Sequence, residues 1–217
     1  MISSDGAGRR AIGRSLEVTF GIKPESISIP MSGKTDPQIL LEILAQEGVP
    51  ECEAARHIEK IIEIYLKFLE EEIANCLNYI IHDGVRDLIA ALHEESNAHL
   101  GLLTGNVERG ARMKLARFDL NHHFPIGAFG SDAVNRLDLP AIAKARGDRH
   151  YQREFAPSEM VIIGDSVNDV RCAKHFGARS IVAHTGKTTR EVLMGENPDY
   201  LFPSLANTDL VLSAILA

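Results

Sequence analysis

The stretch MVIIGDSVNDVRCAKHFG, residues 160–177, turns from an uninterrupted apolar run into small and acidic residues and then into a helix-like pattern. A short apolar run closed by glycine is the signature of a strand buried on both faces, and a helix directly after it makes a strand–turn–helix unit. The same punctuation stands at GLLTGN, residues 101–106, ahead of VERGARMKLARF (107–118). Working outward, the chain from about residue 80 alternates throughout. Helix GVRDLIAALHEES (84–96) precedes the first of these strands. Strand PIGAFG (125–130) and helix LPAIAKARG (139–147) lie between the two. Strand ARSIVAHTG (178–186), helix TREVLMGE (189–196), a short DYLFP run (199–203) and helix TDLVLSAIL (208–216) complete the series. Apolar strands alternating with helices predict an α/β, Rossmann-like core with a mostly parallel sheet covered on both faces. Ligands bind such sheets at the carboxyl ends of the strands, where TGN and GDS both fall.

The first third reads differently. GAGRRAIGRSLEVTFG (6–21) places Ile12, Leu16 and Phe20 at fourfold spacing, with Gly21 as terminator. An extended stretch is expected over Ser26 to Pro30. A helix then opens at DPQILLEILAQEGV, with Asp36 as N-cap and Pro37 at its first position. A longer helix spans Glu51 to Asn75, and its run Glu70, Glu71 and Glu72 reads as a solvated face. The division implied is a helical domain over 1–78 and a strand–helix domain over 79–217.

Bulk properties exclude several classes. A net charge of −7 argues against a surface built to bind nucleic-acid backbone. Cys52, Cys76 and Cys172 are odd in number and form no CxxC pair, so neither a disulfide framework nor a zinc site is expected. No segment approaches the roughly 18 apolar residues of a membrane span, and MISSDGAGRRAIGR has no apolar leader. The expectation is a cytoplasmic protein with no membrane partner.

At the two strand ends the residue types suit phosphate and a cation. Thr104 offers a hydroxyl, and the N–H groups of Gly105 and Asn106 precede a helix whose dipole favours an anion; an ordinary capping turn accounts for the same three residues. Asp165 follows a buried strand, where a carboxylate is costly unless it is paired or holds a cation, and Mg²⁺ is the hard ion that combines carboxylates with phosphate oxygens and water. Asp169 faces the same side of the following helical turn, as a second acid or as a helix-dipole carboxylate.

Taken together, LLTGN, then GSDAVNRLDLPAIAKAR, then VIIGDSVNDVRCAKHFGARSIVAHTG resemble the second, third and fourth motifs of the haloacid dehalogenase superfamily. SDGAGRRAIGRSLEVTFGI and SGKTDPQILLEIL resemble the helical cap of its phosphoglycolate phosphatase-like branch. The resemblance implies a Mg²⁺-dependent phosphatase acting on a small phosphorylated substrate through an aspartyl-phosphate. Thr104 and Asn106 would hold the phosphoryl group, Asp165 the metal, and Asp169 would be a metal-facing or supporting acid. Arg136, with Lys144 in reserve, would supply the neutralising cation, and Lys34, Thr35 and Asp36 a substrate-facing cap loop. The family's first motif, an apolar strand ending in DxDGT with the aspartate nucleophile, is expected to lie upstream of Met1. Its strand would belong between those ending at Thr104 and Asp165, so their facing edges would lack partners, at about 1–3 kcal/mol per buried group. The rival expectation is a non-catalytic phosphate- and metal-binding module, and a weaker third is a nucleotide-binding redox protein.

Other signals are set aside. Gly186-Lys187-Thr188 ends like a phosphate loop, but the glycine that pattern needs is Ile181. His93, Glu94 and His99 do not make HExxH, and Gly105 with Gly110 does not make GxGxxG. His122 and His123 have no ligand partner at a recognisable spacing.

Overall fold

The structure, a computed structural model, describes residues 1–217. Its first part is three helices, α1 (Ala7–Phe20), α2 (Asp36–Gln46) and α3 (Glu51–Ala74). The spacing that predicted α1 puts Ala11, Ile12 and Leu16 into a core shared with Leu40, Ile43 and Leu44 of α2 and Ile61, Tyr65 and Leu69 of α3. Burying these side chains supplies about 1.5–3 kcal/mol each before chain entropy is charged against it. Gly21 closes α1 at φ 70°, a backbone angle that glycine adopts without a Cβ penalty.

Three local expectations need correction. The helix α2 is capped by Thr35, whose hydroxyl accepts the Gln38 N–H at 3.1 Å, so Asp36 is the first helical residue and its carboxylate is free to act elsewhere. The stretch expected to be extended from Ser26 begins with a 3₁₀ turn, Pro24–Ser26, because Pro24 presets the turn. The acidic run of α3 is also more than a solvated face. Glu72 accepts Arg10 Nε at 2.6 Å and Arg14 Nη1 at 3.2 Å, and Glu71 accepts Arg14 Nη2 at 2.7 Å, which ties α3 to α1.

The second part alternates as its sequence predicts. Strand β1 (Ile2–Ser3) pairs antiparallel with β2 (Ile80–Ile81), so the start of the chain is joined to the entrance of the second part. Helix α4 (Val85–Glu94) leads to β3 (Gly101–Leu103), then α5 (Glu108–Ala116), β4 (Ile126–Ala128), α6 (Leu139–Tyr151) and β5 (Val161–Gly164). Helix α7 (Val167–Phe176), β6 (Arg179–Ala183), α8 (Arg190–Gly195), β7 (Tyr200–Phe202) and α9 (Thr208–Leu216) complete it. Every pairing among β3 to β7 is parallel, but the strands fall into two blocks, β3–β4 and β5–β6–β7. Between the facing edges of β3 and β5 lies a cavity of about 380 Å³ lined mainly by apolar residues, among them Leu102, Leu103, Ile162 and Ile163. Ile163 stays 38% exposed in mid-strand, although apolar residues dominate its surroundings. No helix is long and apolar enough to cross a membrane.

Candidate functional site

The two strand ends singled out by the sequence are joined by one loop of the helical part. Asn168 Nδ2 donates to the Ser32 carbonyl at 3.0 Å, the Asp36 N–H donates to the Gly105 carbonyl at 2.7 Å, and Thr35 Oγ1 donates to the Val134 carbonyl at 2.6 Å. Residues 32–36 therefore touch the 104–106 turn, the first turn of α7 and the segment after β4 at once. The approach is close enough to require glycine at several points. A Cβ on Gly105 would stand 2.0 Å from the Lys34 carbonyl oxygen, and one on Gly130 would stand 2.1 Å from that of Gly105. The Lys34 ammonium itself is paired with Glu42 on α2.

At the first strand end, the Thr104 N–H donates to the Ala128 carbonyl at 3.0 Å and prolongs the β3–β4 pairing. Its hydroxyl accepts the Asn106 N–H at 3.2 Å, forming a tight turn at the start of α5. The Gly105 N–H has no acceptor within the chain.

At the second, the spacing of GDSxxD has a mechanical reason. Asp169 curls back beneath the end of β5, where its Oδ2 accepts the N–H groups of Asp165 (3.1 Å) and Ser166 (3.0 Å) and the Ser166 hydroxyl (2.8 Å). A Cβ on Gly164 would lie 2.1 Å from the Asp169 Cγ, so only glycine lets the carboxylate reach. The remaining oxygen, Oδ1, accepts Arg136 Nη2 at 2.5 Å in an ion pair that is almost wholly buried. Asp165, by contrast, accepts no hydrogen bond from the protein. Burial, with neighbouring Asp169 adding to it, holds its carboxyl above the usual carboxylate range. An acid left without donors at a strand end is the donor set that a hard divalent ion completes with water and phosphate oxygens. Nowhere do three or more His, Cys, Asp or Glu side chains converge as a ready-made metal cage.

The structure places the cations differently from the sequence reading. Arg136 is spent on Asp169, and Lys144 pairs with Asp148 at 2.6 Å on the same helix. The cation at the 104–106 turn is Lys114, whose Nζ donates to Asn106 Oδ1 at 2.9 Å. A helical spacing signal was available, since Val107, Gly110 and Lys114 follow one face of α5. Tyr65 of α3 also went unread. Its hydroxyl is fully buried beside the Asp36 carboxylate, and burial together with that charge pushes it well above the usual tyrosine range.

These observations describe a tight turn and an acid without hydrogen-bond donors at the ends of two parallel strand blocks, both touched by a loop of the helical layer. Residues 129–208 match the HAD-hydrolase-like family. This part of the chain is a haloacid dehalogenase-like hydrolase domain. The phosphoglycolate phosphatase of Salmonella typhi is 27% identical over 162 residues, covering 73% of this chain and 59% of that protein. That of Escherichia coli (strain K12) is 25% identical over 163 residues, covering 73% and 60%. The chain thus spans about three-fifths of the length of the curated relatives it matches. Among solved structures, a hydrolase from Pseudomonas syringae superposes with a TM-score of 0.69 at 17% identity, covering 96% of this chain and 91% of that one. CbbY from Rhodobacter sphaeroides, in complex with phosphate, superposes at 0.63 with 20% identity, covering 95% and 90%. The haloacid dehalogenase-like fold therefore extends over the helical layer as well as over the matched segment.

Proposed function

We propose that this haloacid dehalogenase-like chain serves the hydrolysis of a small phosphomonoester, of the phosphoglycolate class, in a Mg²⁺-dependent reaction through an aspartyl-phosphate. The nucleophilic carboxylate is carried on a strand seated between β3 and β5 and belongs to a segment outside residues 1–217. The observation that carries this reading is the apolar cavity between two parallel strand edges, one running on from Leu103 into the Thr104 turn and the other ending in the donor-free carboxylate of Asp165, which lines the cavity.

Each group of the chain then has a task. The Thr104 hydroxyl and the Gly105 N–H hold oxygens of the phosphoryl group, at a helix N-terminus where anions are favoured. Lys114, drawn to the turn by Asn106, neutralises the charge that builds up as the carboxylate attacks phosphorus and the alcohol departs. Mg²⁺, held by Asp165, supplies Lewis-acid stabilisation of the same charge. Arg136 and Asp169 keep the loop that presents Asp165 in place. Residues 32–36 close the site from the helical side, which excludes the bulk water that would dilute these charges.

Inorganic phosphate titrated calorimetrically into the 217-residue chain in the presence of Mg²⁺ tests the cradle directly. Binding is expected, with a loss of about tenfold or more in Thr104→Val and in Asp165→Asn, each of which removes one charged or charge-assisted contact. Equal binding in the wild type and both variants would refute the assignment. A specific observation favours one rival, a phosphate- and metal-binding module without turnover: Asp169 is fully engaged, so Asp165 is the one uncommitted acid at these strand ends. That rival accepts the same binding result and fails if a supplied strand confers turnover.

A further inference from the structure

Asp36 is 2% exposed and opens helix α2, yet its carboxylate serves the opposite part of the molecule. Oδ2 accepts the Val107 N–H at 2.8 Å and Oδ1 accepts Asn106 Nδ2 at 3.0 Å. Asn106 turns its other end, Oδ1, to the Lys114 ammonium at 2.9 Å. The amide is therefore held at both ends, its donor facing an acid and its acceptor facing a cation, and it cannot rotate without losing both. Tyr65 closes the cluster from α3, and α1 closes it with Gly8, where a Cβ would come within 3.2 Å of Lys114 Nζ and 3.9 Å of the Tyr65 hydroxyl.

We propose that Asp36 is a positioning residue: acting through Asn106, it fixes the Lys114 ammonium at the 104–106 turn, so that seating the helical part and delivering the cation to a bound phosphoryl group are one event. The inference rests on the phosphate reading of that turn, and its test separates the two.

The electrostatics follow from the same contacts. Burial pulls Lys114 below the usual lysine range, and the Asp36 carboxylate opposes that pull. Burial raises Asp36 in turn, while Lys114, the Val107 N–H, Asn106 and the Tyr65 hydroxyl draw it back down. The titratable groups facing Lys114 are Asp36 from α2 and Tyr65 from α3; α1 presents only Gly8. Asp36→Asn keeps the size of the side chain and removes its charge, leaving the desolvation of Lys114 unopposed. Because the charged lysine is the disfavoured form, its proton is then lost at lower pH.

The Lys114 Nζ resonance, followed against pH in protein labelled with ¹³C and ¹⁵N lysine and assigned with Lys114→Met, reads this directly. Lys114 is expected to titrate at least about one pH unit lower in Asp36→Asn, a tenfold change in proton affinity. At a pH between the two midpoints, inorganic phosphate is expected to bind the variant about tenfold more weakly, and the difference is expected to close at lower pH, where both lysines are charged. An unmoved Lys114 titration in a folded variant overturns the proposal, as does a moved titration with undiminished phosphate binding between the midpoints. If wild type binds no phosphate, the phosphate reading of the turn fails, while the resonance still decides whether Asp36 governs Lys114. Should Asp36→Asn not fold, Asn106→Ser cuts the relay while keeping the Asp36 charge and its Val107 bond, and at a pH where the wild-type lysine is charged phosphate is expected to bind about tenfold more weakly; undiminished binding overturns the proposal.

Discussion

Joined ahead of residue 1 to an apolar strand that ends in Asp-x-Asp, the chain is expected to hydrolyse an aryl phosphate in Mg²⁺ at least about 10⁴-fold faster than residues 1–217 alone, since a covalent nucleophile accounts for most of the acceleration of its enzyme. The geometry that makes this expectation specific is local. Met1 lines the cavity between β3 and β5, as do Gly101 to Leu103 of one edge and Val161 to Asp165 of the other. A strand that ends at Met1 faces β3 and β5, each paired on its other side only, and apolar side chains such as Leu102 and Ile163, and its carboxyl end lies beside Asp165, whose charge the Met1 ammonium feels. Parallel strands in such a core are near-continuous apolar runs, so a chemically ordinary strand suffices. Pairing both edges also removes about 1–3 kcal/mol of cost for each buried N–H or C=O it satisfies, so the extended protein is expected to unfold at higher urea with a larger m value. Steady-state turnover and urea unfolding of the two proteins, side by side, check both halves. An extended protein that gains stability and no turnover would leave the fold reading standing and remove the enzymatic one. A control strand ending in Asn-x-Asn separates filling the slot from supplying the nucleophile.

What the amino-acid sequence reveals about this molecule, and what it hides, divides along a physical line. The strands ending at Leu103 and Gly164 are legible because burial on both faces demands continuous apolar residues, and because the next residues are small and polar for reasons of chain geometry. The link between Asp165 and Asp169 is legible for a related reason, being an interaction across four residues. The helical caps are nearly so. Thr35 and Asp36 both suit an N-cap, and the choice between them was settled by a contact that spacing does not encode, since the Asp36 carboxylate has its partners 70 and 71 residues away. Lys114 was hidden by its neighbours. In VERGARMKLARF it is one of four basic residues on a helix whose composition reads as solvated, and only the folded chain shows that Arg109 reaches Glu63 at the surface while Lys114 turns inward. Arg136, expected to supply a cation to the phosphoryl site, has as its partner the acid that shapes the loop.

Asp169 is the residue whose loss is expected to cost the fold most, and the reason lies in what would remain. In Asp169→Ala the Arg136 guanidinium keeps its position, with its side chain 13% exposed and its Nε already without a partner, but the carboxylate that balances its charge is gone. Breaking a buried pair by removing one member typically costs about 3–5 kcal/mol, because the orphaned charge cannot reach water. To this is added the loss of an acceptor for the Asp165 and Ser166 N–H groups and for the Ser166 hydroxyl. Asp169→Asn keeps an oxygen for part of this network and is expected to lose about half as much, so the difference between the two variants reports the charge and the size of the alanine effect reports the loop. Urea unfolding midpoints at constant m give both numbers. If Asp169→Ala lowered stability by less than about 1 kcal/mol, the acid would not be holding the loop. The donor-free presentation of Asp165 would then need another cause, and the direct candidate is a second metal-facing role for Asp169, released from Arg136 when a cation binds. A Mg²⁺ titration of the wild type followed by the Arg136 Nε resonance distinguishes these: a fixed structural pair leaves that signal in place, and a released one moves it.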